Sequence, residues 1–379
     1  MRLAPFIFVL LLGVVGCHQR PFLMKGAMNV NGNMGMDGNM NMTGDMDMTG
    51  DMSMKGDMNI TGDMTMKGDM AASIKTDNTA SRLSVVTVSG HPDAGPKIAV
   101  VDVDGLLIDK NISGLGSMGE NPVALFREKL NVIDNDASIG AIVLRINSPG
   151  GGVTASDIMS HDLSQLKTKR GIPVVACLMV TGTGGAYYLA THADAIIAHP
   201  TSVVGGIGVI LNAYNLEDTM AQFNILSEPI KAGEKIDLGT PERVMEDEER
   251  ELLQEMADSF HDRFIDQVKF ARPDAQDKGL FDGRVFTGVQ AEQNDLIDRV
   301  GYLEDAIEQA RKMCGAGSQG PVVMLRRNND RAYTALDVTP NNPLATSLLP
   351  FKLPGLDRSS MPTFLYLWQA DSSLAAVTQ

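Results

Sequence analysis

The residues best placed to do chemistry lie in three glycine-rich turns, each of which follows an apolar run. They are Pro149-Gly150-Gly151-Gly152, Thr183-Gly184-Gly185 and Gly205-Gly206-Ile207-Gly208. One such turn is weak evidence, because glycine also serves tight packing where a helix begins. Three at successive strand ends indicate more, because freed backbone N–H groups can line an anion site or an oxyanion hole.

Residues 180–194, VTGTGGAYYLATHAD, look like the turn and helix that present a catalytic residue, yet they contain no serine. The other polar candidates are weaker. Ser148 and Ser156 are ordinary polar residues near a helix start, and His192 and His199 follow no triad spacing. The side chain expected to attack a substrate is therefore missing from its turn.

Cofactors and metals are not expected. The run GGIGVI lacks the spacing and the acidic partner of a dinucleotide-binding fingerprint. Cys177 lies in an apolar run typical of core packing, and neither it nor Cys314 has metal-ligand spacing. The net charge of −15 disfavours nucleic acid as a partner.

These turns need a sheet to hold them, and the sequence predicts one. Apolar runs typical of strands alternate with amphipathic runs typical of helices. Strands that are apolar throughout and separated by helices indicate a mostly parallel sheet covered on both faces. The predicted strands are 97–108, 139–151, 173–180 and 195–211, and the predicted helices are 121–136, 154–169, 184–194 and 241–271.

Several segments together resemble the signal peptide peptidase A family, membrane-associated serine–lysine proteases with the Clp protease/crotonase fold. The resemblance covers residues 97 to 312 and implies an α/β fold, a Clp/crotonase-type mostly parallel sheet flanked by helices. The matching segments are RINSPGGGVTAS, PVVA, GGAYYLATHADAIIAHPTSVVGGIGVI, IKAGEKIDLGTPER, DGRVFTGVQA and DLIDRVGYLEDAI.

The catalytic residues of that family have no counterparts here. The resemblance places Gly184 at the nucleophilic serine, Ile236 at the lysine base and Gly206 at the serine that orients the lysine. Glycine has no atom to attack with, and isoleucine accepts no proton. The three changes predict one consistent apolar pocket and the loss of serine–lysine proteolysis.

An alternative dyad uses the preceding residues. A one-residue shift brings Thr183 to the nucleophile position and Lys235 to the base position, and threonine can serve as a nucleophile. Against this, a one-residue slip in an extended segment points the side chain the other way. The chain is then an active endopeptidase only if these two side chains meet.

Peptide binding does not need the dyad. An extended peptide can add to the sheet edge near 149–153 through main-chain hydrogen bonds, and Gly150, Gly151, Gly152 and Gly185 can offer N–H groups to its carbonyl. The resemblance implies hydrophobic peptides such as cleaved signal peptides, and assembly into a homo-oligomer.

The N-terminus indicates export and lipidation. Residues 1–16 read as a signal peptide, because their apolar run is too short for a permanent membrane span. Small residues directly before Cys17 resemble the bacterial lipobox, so that 17–25 form a lipid-anchored N-terminus. We expect the mature protein in the bacterial cell envelope, outside the cytoplasm and tethered to a membrane.

Residues 26–70 form a Met/Gly/Asp repeat with glycine at every sixth position and apolar residues on alternate positions. Three hypotheses fit this repeat: an extended spacer, a small β-solenoid of stacked hexads or an intermolecular sheet, and capture of a soft metal by thioethers. We expect a linker over 71–96, the peptidase-like domain over 97–314 and a Pro/Asn/Ser-rich extension over 315–379.

The extension ends near FLYLW, residues 364–368. This segment can dock as an edge strand on its own domain, enter the peptide groove, or touch the membrane interface; the first is preferred. The sequence as a whole favours a membrane-anchored binder of extended hydrophobic peptides. The alternatives are a peptidase using Thr183 and Lys235, and a structural or metal-binding oligomer that displays the Met repeat.

Overall fold

The structure is a computed structural model in which the chain forms two units, Met1–Thr76 and Asp77–Gln379. It describes residues 82–114, 117–275, 278–327, 333–337 and 364–368, together with the strand backbone between Leu23 and Ser73. The predicted signal peptide and Cys17 lie outside the described residues. None of the described helices is both long enough and apolar enough to cross a membrane.

The repeat of the first unit forms short strands that stack on one another. Residue 28 lies opposite 46 and residue 34 opposite 52, an offset of 18 residues in parallel pairing. That offset equals three hexads, as stacked coils of a hexad repeat require. The last three strands pair antiparallel with the preceding ones. The strands are β1 (Leu23–Lys25), β2 (Met28–Asn31), β3 (Met34–Asp37), β4 (Asn39–Thr43), β5 (Met46–Thr49), β6 (Met52–Lys55), β7 (Asn59–Ile60), β8 (Met64–Met66) and β9 (Met70–Ser73).

The second unit is an α/β domain, as predicted. Its elements are β10 (Ser84–Ser89), β11 (Lys97–Asp104), β12 (Ile112–Gly114), β13 (Ser117–Glu120), α1 (Pro122–Asn135), β14 (Ile139–Ser148), β15 (Gly150–Gly152), α2 (Val153–Arg170), β16 (Val174–Thr183), α3 (Gly185–Ala190), β17 (Ala195–Ala198), β18 (Val203–Gly205), α4 (Glu217–Gln222), α5 (Asp247–Ala271), a 3₁₀ turn (Lys278–Leu280), β19 (Val285–Thr287), α6 (Gly288–Gln293), β20 (Arg299–Val300), α7 (Leu303–Cys314), β21 (Val322–Arg326) and β22 (Leu365–Leu367).

The main sheet has nine strands, seven of which run in the order β10-β21-β11-β14-β16-β17-β20. β18 pairs with the end of β16, and β19 pairs with β18. All neighbouring strands are parallel except the pairs β10–β21 and β18–β19. Alternate residues of β11 face opposite sides. Ile98 and Val100 pack on α7, whereas Ala99 and Val101 join the larger core beneath α1, α2 and α3. Both faces of the sheet are therefore covered, which explains why its strands are apolar throughout.

The domain extends past both boundaries predicted for it. β10 lies within the expected linker 71–96, and β21, from the expected extension 315–379, inserts between β10 and β11. β21 is only five residues long, four of them apolar, in a polar stretch rich in Pro and Asn. The polar composition of residues 315–379 therefore does not predict β21, although this strand lies inside the sheet.

Candidate functional site

The turn between β16 and α3 holds Gly184 in an unusual backbone conformation, with φ of 53° and ψ of −127°. A sharp strand-to-helix turn is the geometry that exposes a nucleophile in α/β-hydrolases, and glycine adopts a positive φ without strain. Its N–H donates to the carbonyl of Gly205 at 2.9 Å. The following helix α3 is completely buried, and the hydroxyl of Tyr187 donates to the carbonyl of Leu296 at 2.7 Å. The turn is thus rigidly held although it carries no side chain.

The three glycine-rich turns meet at one edge of the sheet. A Cβ atom at Gly206 would lie 3.4 Å from the nitrogen of Gly184, and one at Gly150 would lie 2.8 Å from the nitrogen of Gly185. The parallel strands β14, β16 and β18 end together here, so their turns converge. The positions that the family resemblance gives to the nucleophile and to the orienting serine are therefore neighbours.

A strand from the C-terminus crosses this edge. β22 runs antiparallel to β15, with Gly151 opposite Tyr366. The N–H of Val153 donates to the carbonyl of Phe364 at 3.2 Å, and the N–H of Trp368 donates to the carbonyl of Pro149 at 3.1 Å. This is the sheet-edge geometry expected for a bound peptide.

The same strand is also bonded along its other edge. Leu365 and Ile210 exchange two backbone hydrogen bonds, at 2.9 and 3.0 Å. The segment 364–368 thus lies in a groove with β15 on one side and the loop after β18 on the other. We call this channel between Gly150–Gly152 and Ile210 the peptide groove.

The carbonyl of Tyr366 points at Gly184, the position that the family resemblance gives to the nucleophile. Its oxygen would lie 2.2 Å from a Cβ atom at Gly184, 2.0 Å from one at Gly150 and 3.5 Å from one at Gly185. The oxygen therefore lies beside the turns predicted to line an oxyanion site. Of the four predicted donors, however, Gly150 donates to Ser148 Oγ at 3.1 Å and Gly152 to the carbonyl of Leu107 at 2.8 Å, so these two N–H groups do not face a peptide carbonyl.

Side chains of the strand fill apolar pockets on both sides of the groove. Tyr366 is fully buried beside the rings of Tyr188 and Phe264, at centroid distances of 5.5 and 4.7 Å. Its hydroxyl donates to the carbonyl of Phe260 at 2.6 Å. Burial raises the pKa of this phenol, so it stays protonated and remains a donor. On the opposite side, Leu365 and Leu367 pack in a separate cluster with Leu106, Ile108 and Ile210.

The predicted apolar pocket does not include Ile236. This side chain is 72% exposed in the loop between α4 and α5. The expectation that Ile236 of the same chain joins Gly184 and Gly206 in one apolar pocket is therefore wrong. Matching a motif locates a residue in the sequence but leaves open how its loop packs.

Thr183 and Lys235 are not hydrogen-bonded to each other. The hydroxyl of Thr183 is buried, and no partner for it lies among the described residues. The ammonium of Lys235 bonds the carboxylate of Glu248 at 2.8 Å, which raises its pKa. A general base needs the opposite shift, because it must be unprotonated near neutral pH. The shifted dyad is therefore not assembled within one chain.

The remaining candidates have structural contacts. Ser148 accepts a hydrogen bond from the N–H of Gly150, and Ser156 donates to the carbonyl of Gly152 at 2.9 Å, so both brace the groove. Burial raises the pKa of the Cys177 thiol to about 12, as suits a core residue. Burial also lowers the pKa of His192, which contacts the carbonyl of Tyr188, and His199 packs against the ring of Tyr302.

Known proteins resemble this chain over the same domain. The model of Peptidase family S49 matches residues 166–316. A protein of Methanocaldococcus jannaschii that carries the name of a protease is 31% identical over 246 residues, covering 63% of this chain and 78% of that protein. A protein of Enterococcus faecium named for signal peptide peptidase SppA is 31% identical over 218 residues, covering 57% of this chain. The chain spans 63% of the Enterococcus protein's length. Among solved structures, the membrane-bound stomatin-specific protease 1510-N is similar with a TM-score of 0.37 and 15% identity, covering 62% of this chain and 95% of that one.

Proposed function

Since the chain belongs to peptidase family S49, we propose that it binds extended hydrophobic peptides in the peptide groove without serine–lysine proteolysis. The observation that carries this proposal is the ladder of main-chain hydrogen bonds between the segment 364–368 and both sides of the groove. Main-chain hydrogen bonds form with a peptide of any sequence, because they do not involve its side chains. The apolar pockets on either side of the groove supply the preference for hydrophobic side chains.

The absence of a hydroxyl and a base at the positions matched to the family's catalytic residues supports binding rather than cleavage. Gly184 and Gly206 offer no hydroxyl, and Ile236 offers no base. Gly151 and Gly185 keep backbone N–H groups that can hold a peptide carbonyl, whereas the N–H groups of Gly150 and Gly152 already donate to Ser148 Oγ and to the carbonyl of Leu107. A groove of this kind retains a peptide and leaves its bonds intact.

We also propose that the protein is lipid-anchored through Cys17 at the outer side of a bacterial membrane and that it assembles into homo-oligomers. Apolar side chains exposed between β18 and α5 support the assembly, because exposed apolar clusters mark interaction surfaces. They include Phe223, Leu226 and Ile230.

Cys17→Ala is expected to release the protein from membranes, and light scattering of the purified variant measures the oligomer.

The test uses the full mature chain, since a piece ending at residue 314 would lack β21. A fluorescent signal-peptide sequence is added, its binding is followed by anisotropy and its integrity by mass spectrometry. We expect binding without cleavage. Ile210→Pro removes the N–H that donates to Leu365 and should abolish binding. Leu211→Pro, one position further, is the matched control.

Two results would overturn the proposal. A wild-type chain that binds no hydrophobic peptide contradicts the binding function. Cleavage that disappears in Thr183→Ala or Lys235→Ala establishes the shifted dyad and makes the protein a peptidase.

A further inference from the structure

The peptide groove is occupied by the chain's own C-terminal segment. Leu365, Tyr366 and Leu367 are 3%, 0% and 7% exposed, and backbone bonds hold the segment on both edges. A loosely associated terminus leaves its side chains in solvent, whereas these are buried as completely as the core. The segment is therefore an integral strand of the folded domain.

Gly184 is what allows this strand to lie so deep. A Cβ atom there would lie 2.2 Å from the carbonyl oxygen of Tyr366 and 2.7 Å from its carbonyl carbon. The optimal separation of two non-bonded carbon atoms is about 3.5–4.0 Å. Any side chain at position 184, a catalytic serine included, is therefore incompatible with the strand in this position.

The pocket of Tyr366 selects the side chain at the centre of the strand. Two aromatic rings, those of Tyr188 and Phe264, pack against it, and the carbonyl of Phe260 accepts its hydroxyl. The neighbouring Leu365 and Leu367 point to the other side of the strand and fill the cluster around Leu106. The groove thus fits an aliphatic-tyrosine-aliphatic sequence.

We propose that the peptide groove is a site for tyrosine-centred strands whose resident ligand is the chain's own Leu365–Leu367, and that Gly184 is the residue that admits the main chain of this strand. For peptides added from outside, this inference rests on the function proposed above. For the resident strand it stands independently of that function.

Trp368 provides a direct measurement, because it is the only tryptophan of the chain and it follows the docked strand. We expect Gly184→Ala in the full-length protein to shift its fluorescence emission to longer wavelength and to increase quenching by iodide. The matched control is Gly171→Ala. Gly171 also has a positive φ, of 62°, but nothing lies within 4 Å of a Cβ there, so this change adds strain without touching the strand.

A second variant keeps the test decisive if Gly184→Ala folds poorly. Tyr366→Ala removes the side chain with which the resident strand fills the pocket, and it should expose Trp368 in the same way. If the Trp368 emission of a folded Gly184→Ala protein equals that of wild type, the role given to Gly184 is wrong. If Tyr366→Ala also leaves it unchanged, the strand is not docked in solution.

Specificity is measured with the tryptophan-free peptide acetyl-Thr-Phe-Leu-Tyr-Leu-Ala-amide, which should displace the resident strand and expose Trp368. Replacing its tyrosine by phenylalanine should raise the concentration required about fivefold, for one lost hydrogen bond. Replacing it by alanine should raise it on the order of a hundredfold or more. Equal potency of all three peptides contradicts tyrosine selection and leaves the proposed function intact. If no peptide displaces a strand that Gly184→Ala releases, the proposed function fails and the resident ligand is established.

Discussion

The hydroxyl of Tyr366 donates to the carbonyl of Phe260, 2.6 Å away, and so bonds the C-terminal strand to the middle of the long helix α5. The strand is then held by three parts of the domain: β15, the loop at Ile210 and α5. Its binding can be weakened at one contact without disturbing the other two.

Tyr366→Phe removes only this hydrogen bond, and we expect the local free energy of strand opening to fall by about 1 kcal/mol. Hydrogen exchange at the amide nitrogens of Ile210 and Trp368 should accelerate by the corresponding factor, because opening of the strand exposes both. Tyr333→Phe, at a tyrosine that is 81% exposed, is the control and should change neither rate. Unchanged exchange in Tyr366→Phe would show that this bond adds nothing to docking.

Introducing a serine at position 184 should not by itself produce proteolysis. In Gly184→Ser the hydroxyl meets no base, because position 236 carries isoleucine in an exposed loop and Lys235 is bonded to Glu248. We expect no cleavage of a signal-peptide substrate above background by mass spectrometry. A Gly184→Ser protein that cleaves, beside an inactive Gly171→Ser control, would reveal a base that the fold does not present within one chain.

Acid should weaken the start of α5 in a defined pH range. Hydrogen bonds from Arg243 hold the pKa of Glu249 at about 2, below its ordinary value of 4.5, and Glu249 also accepts the N–H of Glu246 at 3.0 Å. Because the folded-state pKa is the lower one, this stabilisation is complete above about pH 4.5 and is lost as the pH falls towards 2.

Glu249→Gln should therefore flatten the dependence of the melting temperature on pH between 4.5 and 2. Glu251→Gln changes an exposed residue of the same helix and should keep the wild-type slope. Identical slopes for wild type and Glu249→Gln contradict the assigned ion pair.

The buried charge cluster at the ends of β11, β14 and β21 should be far more sensitive than surface ion pairs. Oδ1 of Asp102 lies 2.6 Å from Nη2 of Arg145, and its Oδ2 pairs with Arg326. All three side chains are at most 7% exposed. Asp102→Asn removes the carboxylate that both buried guanidinium groups share and breaks both ion pairs while the two positive charges stay buried, so we expect the free energy of unfolding to fall by about 3–5 kcal/mol.

Denaturant unfolding measures this loss. Arg299→Met breaks a half-exposed pair with Asp305 at 3.6 Å and should cost less than about 1 kcal/mol. Equal losses in the two variants would show that burial adds nothing to the Asp102 cluster.

The sequence predicted the sheet and the meeting of the glycine turns, and both predictions have the same physical basis. Parallel strands that are buried on both faces are apolar throughout, and their carboxyl ends share one edge of the sheet. Gly150, Gly184 and Gly206 could therefore be placed together without coordinates.

The contacts that depend on tertiary packing could not be predicted in this way. The alternating apolar residues of FLYLW indicate a strand but do not identify its partner, so they cannot predict the pocket formed by Phe260 and Phe264. The exposure of Ile236 cannot be predicted for a related reason, because it depends on how a loop packs. β21 cannot be predicted because four apolar residues in a polar stretch form too short a pattern.

The position of β21 sets an order on folding as the chain emerges, whether from the ribosome or after export. β10 and β11 emerge early, yet they contact each other only through a strand that ends at Arg326. Until that residue has emerged, β11 has a free edge whose unpaired N–H and C=O groups can pair with another chain. The protein is consequently exposed to misassociation until most of it has emerged, and a chaperone that shields this edge would act on the incomplete chain alone.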